Sequence, residues 1–234
     1  MIYLDVKENR ASLRNKEYVL DCIILLVVVQ IARVIIKYVL LSQLNFTLEN
    51  VNIINIISFM IVGISTAFIL NGSDLFNCAG KRLMKLNNRY NNKNIRLISG
   101  ITSLIAICAA VYFNDGYLLS NLIIFSLSLI VQPIFEEVIL REYVWNYIES
   151  FEKDEKKILI IISILSALFK IGYWDIVSQN LSVIGSSYFT IDIIMTKVFL
   201  GLIIAFILGI VKIKYKDTYL CIFAHSLINV FIER

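Results

Sequence analysis

Apolar residues in this chain of 234 fall in runs of about 16–25, the length at which a helix rising 1.5 Å per residue crosses roughly 30 Å of hydrocarbon. The hydrophobic fraction is 59% and there is one proline, whereas a soluble domain averages roughly 45–50% apolar. A globule of this size cannot bury several helices that lack a polar face. The expected fold class is therefore all-α, a polytopic transmembrane helical bundle of about seven spans. They are read at 18–41, 51–70, 97–113, 118–148, 158–173, 191–211 and 219–232.

Charge placement orients the bundle. Lys7, Arg10, Arg14 and Lys16 precede the first span, and Lys81, Arg82, Lys85, Arg89, Lys93 and Arg96 fill the connection 71–96. Lys153, Lys156 and Lys157 follow the fourth span, and Lys212, Lys214 and Lys216 flank the end of the sixth. The alternate connections 42–50, 114–117 and 174–190 hold no Lys or Arg. Under the positive-inside rule this places the N-terminus in the cytoplasm and, with seven spans, the C-terminus outside.

Three regions follow: a cytoplasmic segment 1–17, the helices of 18–117 with their basic loop 71–96, and a core of helices over 118–234. The net charge of +4 is thus topological. The basic part of that loop, 81–96, lacks the aromatic interleaving of a nucleic-acid surface beyond Tyr90, so its expected partner is anionic membrane lipid and nucleic acid is not one. Seventeen residues, ten of them polar or charged, precede the first span, which is too long for a signal core. Cys22, Cys78, Cys108 and Cys221 form no spaced pair, hence neither a disulfide framework nor a zinc site. The Ile-, Asn- and Lys-heavy usage is that of an AT-rich bacterial genome, so a bacterial cell membrane is the expected location.

One short stretch resists a purely structural explanation. Glu136, Glu137 and Arg141 follow the apolar run 118–135 directly, and a charge at a span centre costs about 2.5–3.5 kcal/mol on insertion scales. Glu137 and Arg141 are i and i+4, within ion-pair reach on one face. Glu136 is turned ~100° away and has Ile139 and Leu140 at i+3 and i+4, so its partner must come from another helix. Pro133 lacks an N–H, which predicts a kink or a new helix start beside the doublet. Other charges read as structural: Arg33 and Lys37 with stems reaching the headgroups, and Asp21 at a span end. Lys197 either pairs with Asp192 or reaches the interior.

The last span carries the only histidine. His225 and Asn229, i and i+4, share a face, an arrangement that on its own is more often an interhelical hydrogen-bonding device. Beside a lone glutamate the pair supplies an orienting group and a donor to a base. Measured from the cytoplasmic side, Glu136 lies ~20 Å deep and His225 ~14 Å, at 1.5 Å per residue. The layers overlap.

E-E-x-x-x-R on one span and H-x-x-x-N on a later one resemble the first and third motifs of the CPBP family, the CAAX-protease and bacteriocin-processing membrane endopeptidases also called Abi. The resemblance covers about 118–234. It implies a helical bundle with an intramembrane cavity open to the cytoplasm, and a membrane-anchored peptide or protein as substrate. Glu136 would activate water, Glu137 and Arg141 would support it, and His225 and Asn229 would bind the water or the oxyanion. The family's second motif, F-x-x-x-H, aligns with Phe169 but has Tyr173 at the histidine position. A tyrosine hydroxyl donates to an oxyanion yet is a poor base or metal ligand, with a reference pKa of about 10. One His, two Glu and an Asn are a poor zinc set, so no metal and no other cofactor is expected. Lys170, in the same motif, is placed to pair with Glu136 and quench it.

Three functions stand on these residues: an endopeptidase using Glu136, a non-catalytic relative acting as a bacteriocin-immunity or regulatory protein, and an ion-coupled transporter with Glu136, Lys170 and Lys197 as relay charges. Transporters tend to show paired, Gly/Pro-interrupted helices in two halves. This chain has one Pro and no internal repeat.

Overall fold

The computed structural model describes residues 2–43, 47–72, 93–113, 118–184 and 189–232, all-α throughout, with no strand among them. The first helix, α1 (Ile2–Leu41), runs without a break from residue 2, so the segment 1–17 continues into the first span as helix. Helix α2 (Leu48–Gly72) returns against α1, and α3 (Lys93–Phe113) packs along the last helix. Most of the loop 71–96 lies outside the described residues; Lys93 onward is helical.

The fourth rod, α4, runs from Leu119 to Phe151 and alternates in pitch. Its α-helical turns Leu119–Ser126, Gln132–Glu137 and Trp145–Phe151 are separated by π-helical turns Leu127–Val131 and Val138–Val144. The kink or new helix start expected at Pro133 takes the form of a change of pitch, with an α-helical stretch beginning at Gln132 and the proline in its first turn. The backbone stays helical at Val131 and Gln132, and the frame widens so that Gln132 N–H reaches back five residues to Leu127 O. A π turn absorbs the missing N–H without breaking the rod, and such turns gather at functional sites.

A tight turn leads on. Asp154 caps α5 (Glu155–Phe169) by accepting Lys156 N–H at 2.9 Å. The half-buried Glu152 accepts the Asp154 and Lys153 N–H groups, and these backbone donors hold its carboxyl below the ordinary carboxylate range. A 3-10 turn, Lys170–Tyr173, then joins α5 to α6 (Trp174–Ile184). The connection expected over 174–190 is thus helical through Ile184. Its polar residues Asp175 and Gln179 are i and i+4 and both buried, which gives α6 an inward-facing polar stripe.

Helix α7 (Thr190–Tyr215) lies along α5 and ends in a left-handed Lys216 (φ 51°) whose N–H bonds Lys212 O. Helix α8 (Thr218–Ile232) follows at once. Six helical stretches are long and apolar enough to cross a membrane, and α8 is a shorter apolar helix of 15 residues. Together they give the seven rods of a multi-pass membrane protein. Leu20, Val28, Ile64, Phe68, Leu104, Phe199 and many like them are exposed, the surface that lipid covers. The packed interior centres on Phe59, Leu140, Trp145, Ile148, Ile158 and Ile162.

Two further expectations change. Arg33 and Lys37 do not reach headgroups: both are 0% exposed and bind Asp175, with Arg33 Nη2 at 2.5 Å and Lys37 Nζ at 2.7 Å. Asp175, on a stretch read as an outer loop, is the carboxylate that keeps them inside. Lys197 is exposed, and no ion pair joins it to Asp192 among the described residues. Asp21 accepts the Tyr147 hydroxyl at 2.6 Å.

Candidate functional site

Glu136 closes the α-helical turn between the two π turns of α4 and is 1% exposed. Its carboxylate is met from the 3-10 turn. Lys170 Nζ lies 2.7 Å from both Oε1 and Oε2, and the Tyr173 hydroxyl donates to Oε1 at 2.8 Å. Gln132, one turn earlier on α4, donates Nε2–H to the same oxygen at 2.8 Å. Oε1 thus accepts three hydrogen bonds and Oε2 one, so Oε2 keeps the larger unused capacity. Gly201 of α7 makes room for the lysine: a Cβ there would stand 2.9 Å from Lys170 Cγ.

The turn bearing Lys170 and Tyr173 is held from the far side by α1. Gln30 Nε2 donates to Phe169 O at 3.1 Å, and Arg33 Nη2 donates to Gly172 O at 2.7 Å. The guanidinium lies between aromatic faces, 5.2 Å from the Phe59 ring centroid and 5.4 Å from that of Tyr173. Glycine at 172 leaves room for this approach, since a Cβ would fall 2.5 Å from Gln30 Cδ and push that side chain aside.

The second glutamate has its own circle. Glu137 Oε1 is 2.9 Å from His225 Nδ1, and Oε2 is 3.2 Å from Arg141 Nε, an ion pair whose angle falls short of a hydrogen bond. Arg141 Nη2 donates to Ala205 O at 3.0 Å. An ionised carboxylate only accepts, so the hydrogen of this bond is on Nδ1. His225 is 2% exposed, and its Nε2 and Arg141 Nη1 have no hydrogen-bond partner among the described residues. Asn229 is committed elsewhere: Nδ2 donates to Ser128 O at 2.9 Å, in the π turn ahead of Pro133.

The six candidates therefore separate into two adjoining sets on α4. Glu136 with Tyr173 forms one, joined by Lys170 and Gln132. Glu137 with Arg141 and His225 forms the other, and Asn229 braces the backbone beside both. Gln132 escaped the sequence reading, although its i, i+4 spacing to Glu136 was legible. Gln30, Gly172 and Asp175 escaped it too, for want of any local signal. Among the described residues no three His, Cys, Asp or Glu side chains converge as a metal site would require.

No curated protein and no solved structure matches this chain. Residues 118–231 match the family model described as Rce1-like, type II CAAX prenyl endopeptidase Rce1-like. That stretch holds the doublet, the Phe169–Tyr173 turn and the His225–Asn229 pair, whose order and spacing resemble the CPBP motifs. Residues 118–231 of this multi-pass membrane protein, just under half of the chain, are similar to the Rce1-like, type II CAAX prenyl endopeptidase family.

Proposed function

We propose that this protein is an intramembrane endopeptidase that hydrolyses a peptide bond in a membrane-associated peptide or protein, with its N-terminus cytoplasmic. The observation that carries this reading is the convergence of Lys170 Nζ and the Tyr173 hydroxyl on one buried carboxylate, Glu136. In the resting arrangement Glu136 is paired with Lys170. When substrate and water enter, Oε2 takes a proton from the water as its oxygen bonds to the scissile carbonyl carbon. Neutralised, Glu136 releases its hold on Lys170 and Tyr173, whose N–H and O–H groups then serve the oxyanion. Collapse breaks the C–N bond, and the leaving amine takes the proton from Glu136. Tyr173 thereby acts as a donor where the family motif has histidine. Glu137, with Arg141 behind it, orients His225 so that Nε2 faces inward, and Asn229 keeps α4 in register.

A second reading has its own support. Lys170 bridges both oxygens of Glu136 at 2.7 Å, a pairing that weakens the carboxylate as a base, and the histidine of the second motif is Tyr173. On that reading the chain is a non-catalytic relative that binds a peptide or partner, as a bacteriocin-immunity or regulatory membrane protein does.

The test is reconstitution in lipid vesicles with a panel of hydrophobic membrane peptides, products read by mass spectrometry. Cleavage by wild type and none by Glu136→Gln is the expected result. Equal cleavage by both sinks the Glu136 mechanism. Binding without cleavage by wild type, with cleavage appearing in Tyr173→His, establishes the second reading.

A further inference from the structure

Among the described residues, the ion-paired clusters that include a buried member hold one more Lys or Arg than carboxylate, and the excess sits at one place. Lys170 answers Glu136, Arg141 answers Glu137, Lys212 stands by Glu142, and Asp217 pairs with Arg96. Asp175 alone faces two cations, Arg33 and Lys37. A net charge held away from water in a lipid-embedded bundle is costly unless something neutralises it.

The excess belongs to Lys37. Arg33 makes four hydrogen bonds with its five N–H groups, to Gln30 Oε1, to both oxygens of Asp175 and to Gly172 O. Lys37 Nζ makes one hydrogen bond among the described residues, to Asp175 Oδ2, although an ammonium carries three donors. Asn55 of α2 is 0% exposed, and neither its Nδ2 nor its Oδ1 has a partner among them.

These two residues lie at one level. Arg33 stacks over Phe59, and α2 runs back along α1. One turn onward from Arg33 along α1 is Lys37, and one turn back from Phe59 along α2 is Asn55, each a step of about 5.4 Å. An ammonium with spare N–H groups and a carboxamide with spare N–H groups therefore share a layer between two antiparallel helices. Gln179 Oε1, also unpartnered, is an acceptor and supplies none of the missing charge.

We propose that Lys37 and Asn55 form a binding site for one small monovalent anion, of the size of chloride or formate. The anion would accept from Lys37 Nζ and Asn55 Nδ2 and cancel the surplus charge. It would lie behind Arg33, the residue that holds the Tyr173 turn, and apart from Glu136 and Glu137.

The experiment uses the full chain purified in detergent at constant ionic strength, with chloride or formate exchanged for gluconate, which is too bulky for such a layer. The thermal midpoint is expected to rise by several degrees from gluconate to chloride or formate, and the difference to vanish in Lys37→Met. Should that variant fail to fold, radiolabelled chloride and Asn55→Leu serve: wild type is expected to hold one chloride per chain, and the variant to bind it at least tenfold more weakly. Equal midpoints in all salts with no bound chloride overturn the proposal, as does an anion dependence that survives Lys37→Met. Neither result touches the assignment of Glu136, which is read by cleavage alone.

Discussion

Asn229 donates its carboxamide N–H to Ser128 O, the carbonyl that Pro133, five residues on in the π frame, cannot serve. The family-motif asparagine of the last helix is thereby joined to the only proline, across the wall of the site. The bond explains how α4 passes a proline in a lipid-facing bundle without breaking: the orphaned acceptor is met from another helix.

That pairing predicts a specific coupling. Asn229→Ala leaves a buried carbonyl unserved and is expected to cost about 1–3 kcal/mol. Pro133→Ala restores a backbone N–H, so the double variant should recover part of that loss. Detergent thermal or denaturant unfolding reads both. Simple additivity would mean the two residues do not share the acceptor.

Lys170 and Glu136 should behave as one unit. Lys170→Met strands a buried carboxylate and is expected to destabilise the protein by about 3–5 kcal/mol. The double variant Lys170→Met with Glu136→Gln removes the stranded charge and should regain most of it. A double-mutant cycle by unfolding measures the coupling, and a value near zero would place water or lipid, rather than lysine, on the carboxylate.

The Tyr173 hydroxyl separates oxyanion donation from simple packing. Tyr173→Phe keeps the ring contacts with Phe59, Phe169 and Arg33 but loses the donor to Glu136. If the hydroxyl serves the oxyanion, cleavage should fall by about 10²–10³ in kcat, the usual loss for one such donor. Tyr173→His should keep or raise activity. Unchanged turnover in Tyr173→Phe would remove the tyrosine from the mechanism.

The clamp from α1 is open to a rescue experiment. Gly172→Ala sets a methyl group 2.5 Å from Gln30 Cδ and is expected to cost about 1–3 kcal/mol through overpacking. Gln30→Ala in the same chain clears the space, so the pair should be less destabilising than the sum of its members. Unfolding midpoints of the four proteins decide it.

The rods were legible because hydrocarbon thickness dictates run length, and most expected boundaries lie within about four residues of the helices; the exceptions are the start of α1 at Ile2 and the continuation of the fifth rod to Ile184. Glu137–Arg141 was legible from i, i+4 spacing, and so was the need of Glu136 for a partner on another helix. The pitch of α4 was not: a missing N–H permits a kink, a restart or a wider turn, and only the neighbouring Asn229 favours the last. Arg33 and Lys37 were misjudged for a related reason. Stem length decides whether a cation can reach the interface, whereas a carboxylate 138 residues away decides whether it does.

The turn that presents Lys170 and Tyr173 hangs from α1, which lies wholly outside the family-matching residues 118–231. A fragment trimmed to that stretch would retain every motif letter and lose the ceiling from which two of them are suspended. Grafting this chemistry into another scaffold therefore means carrying Gln30 and Arg33 along with it.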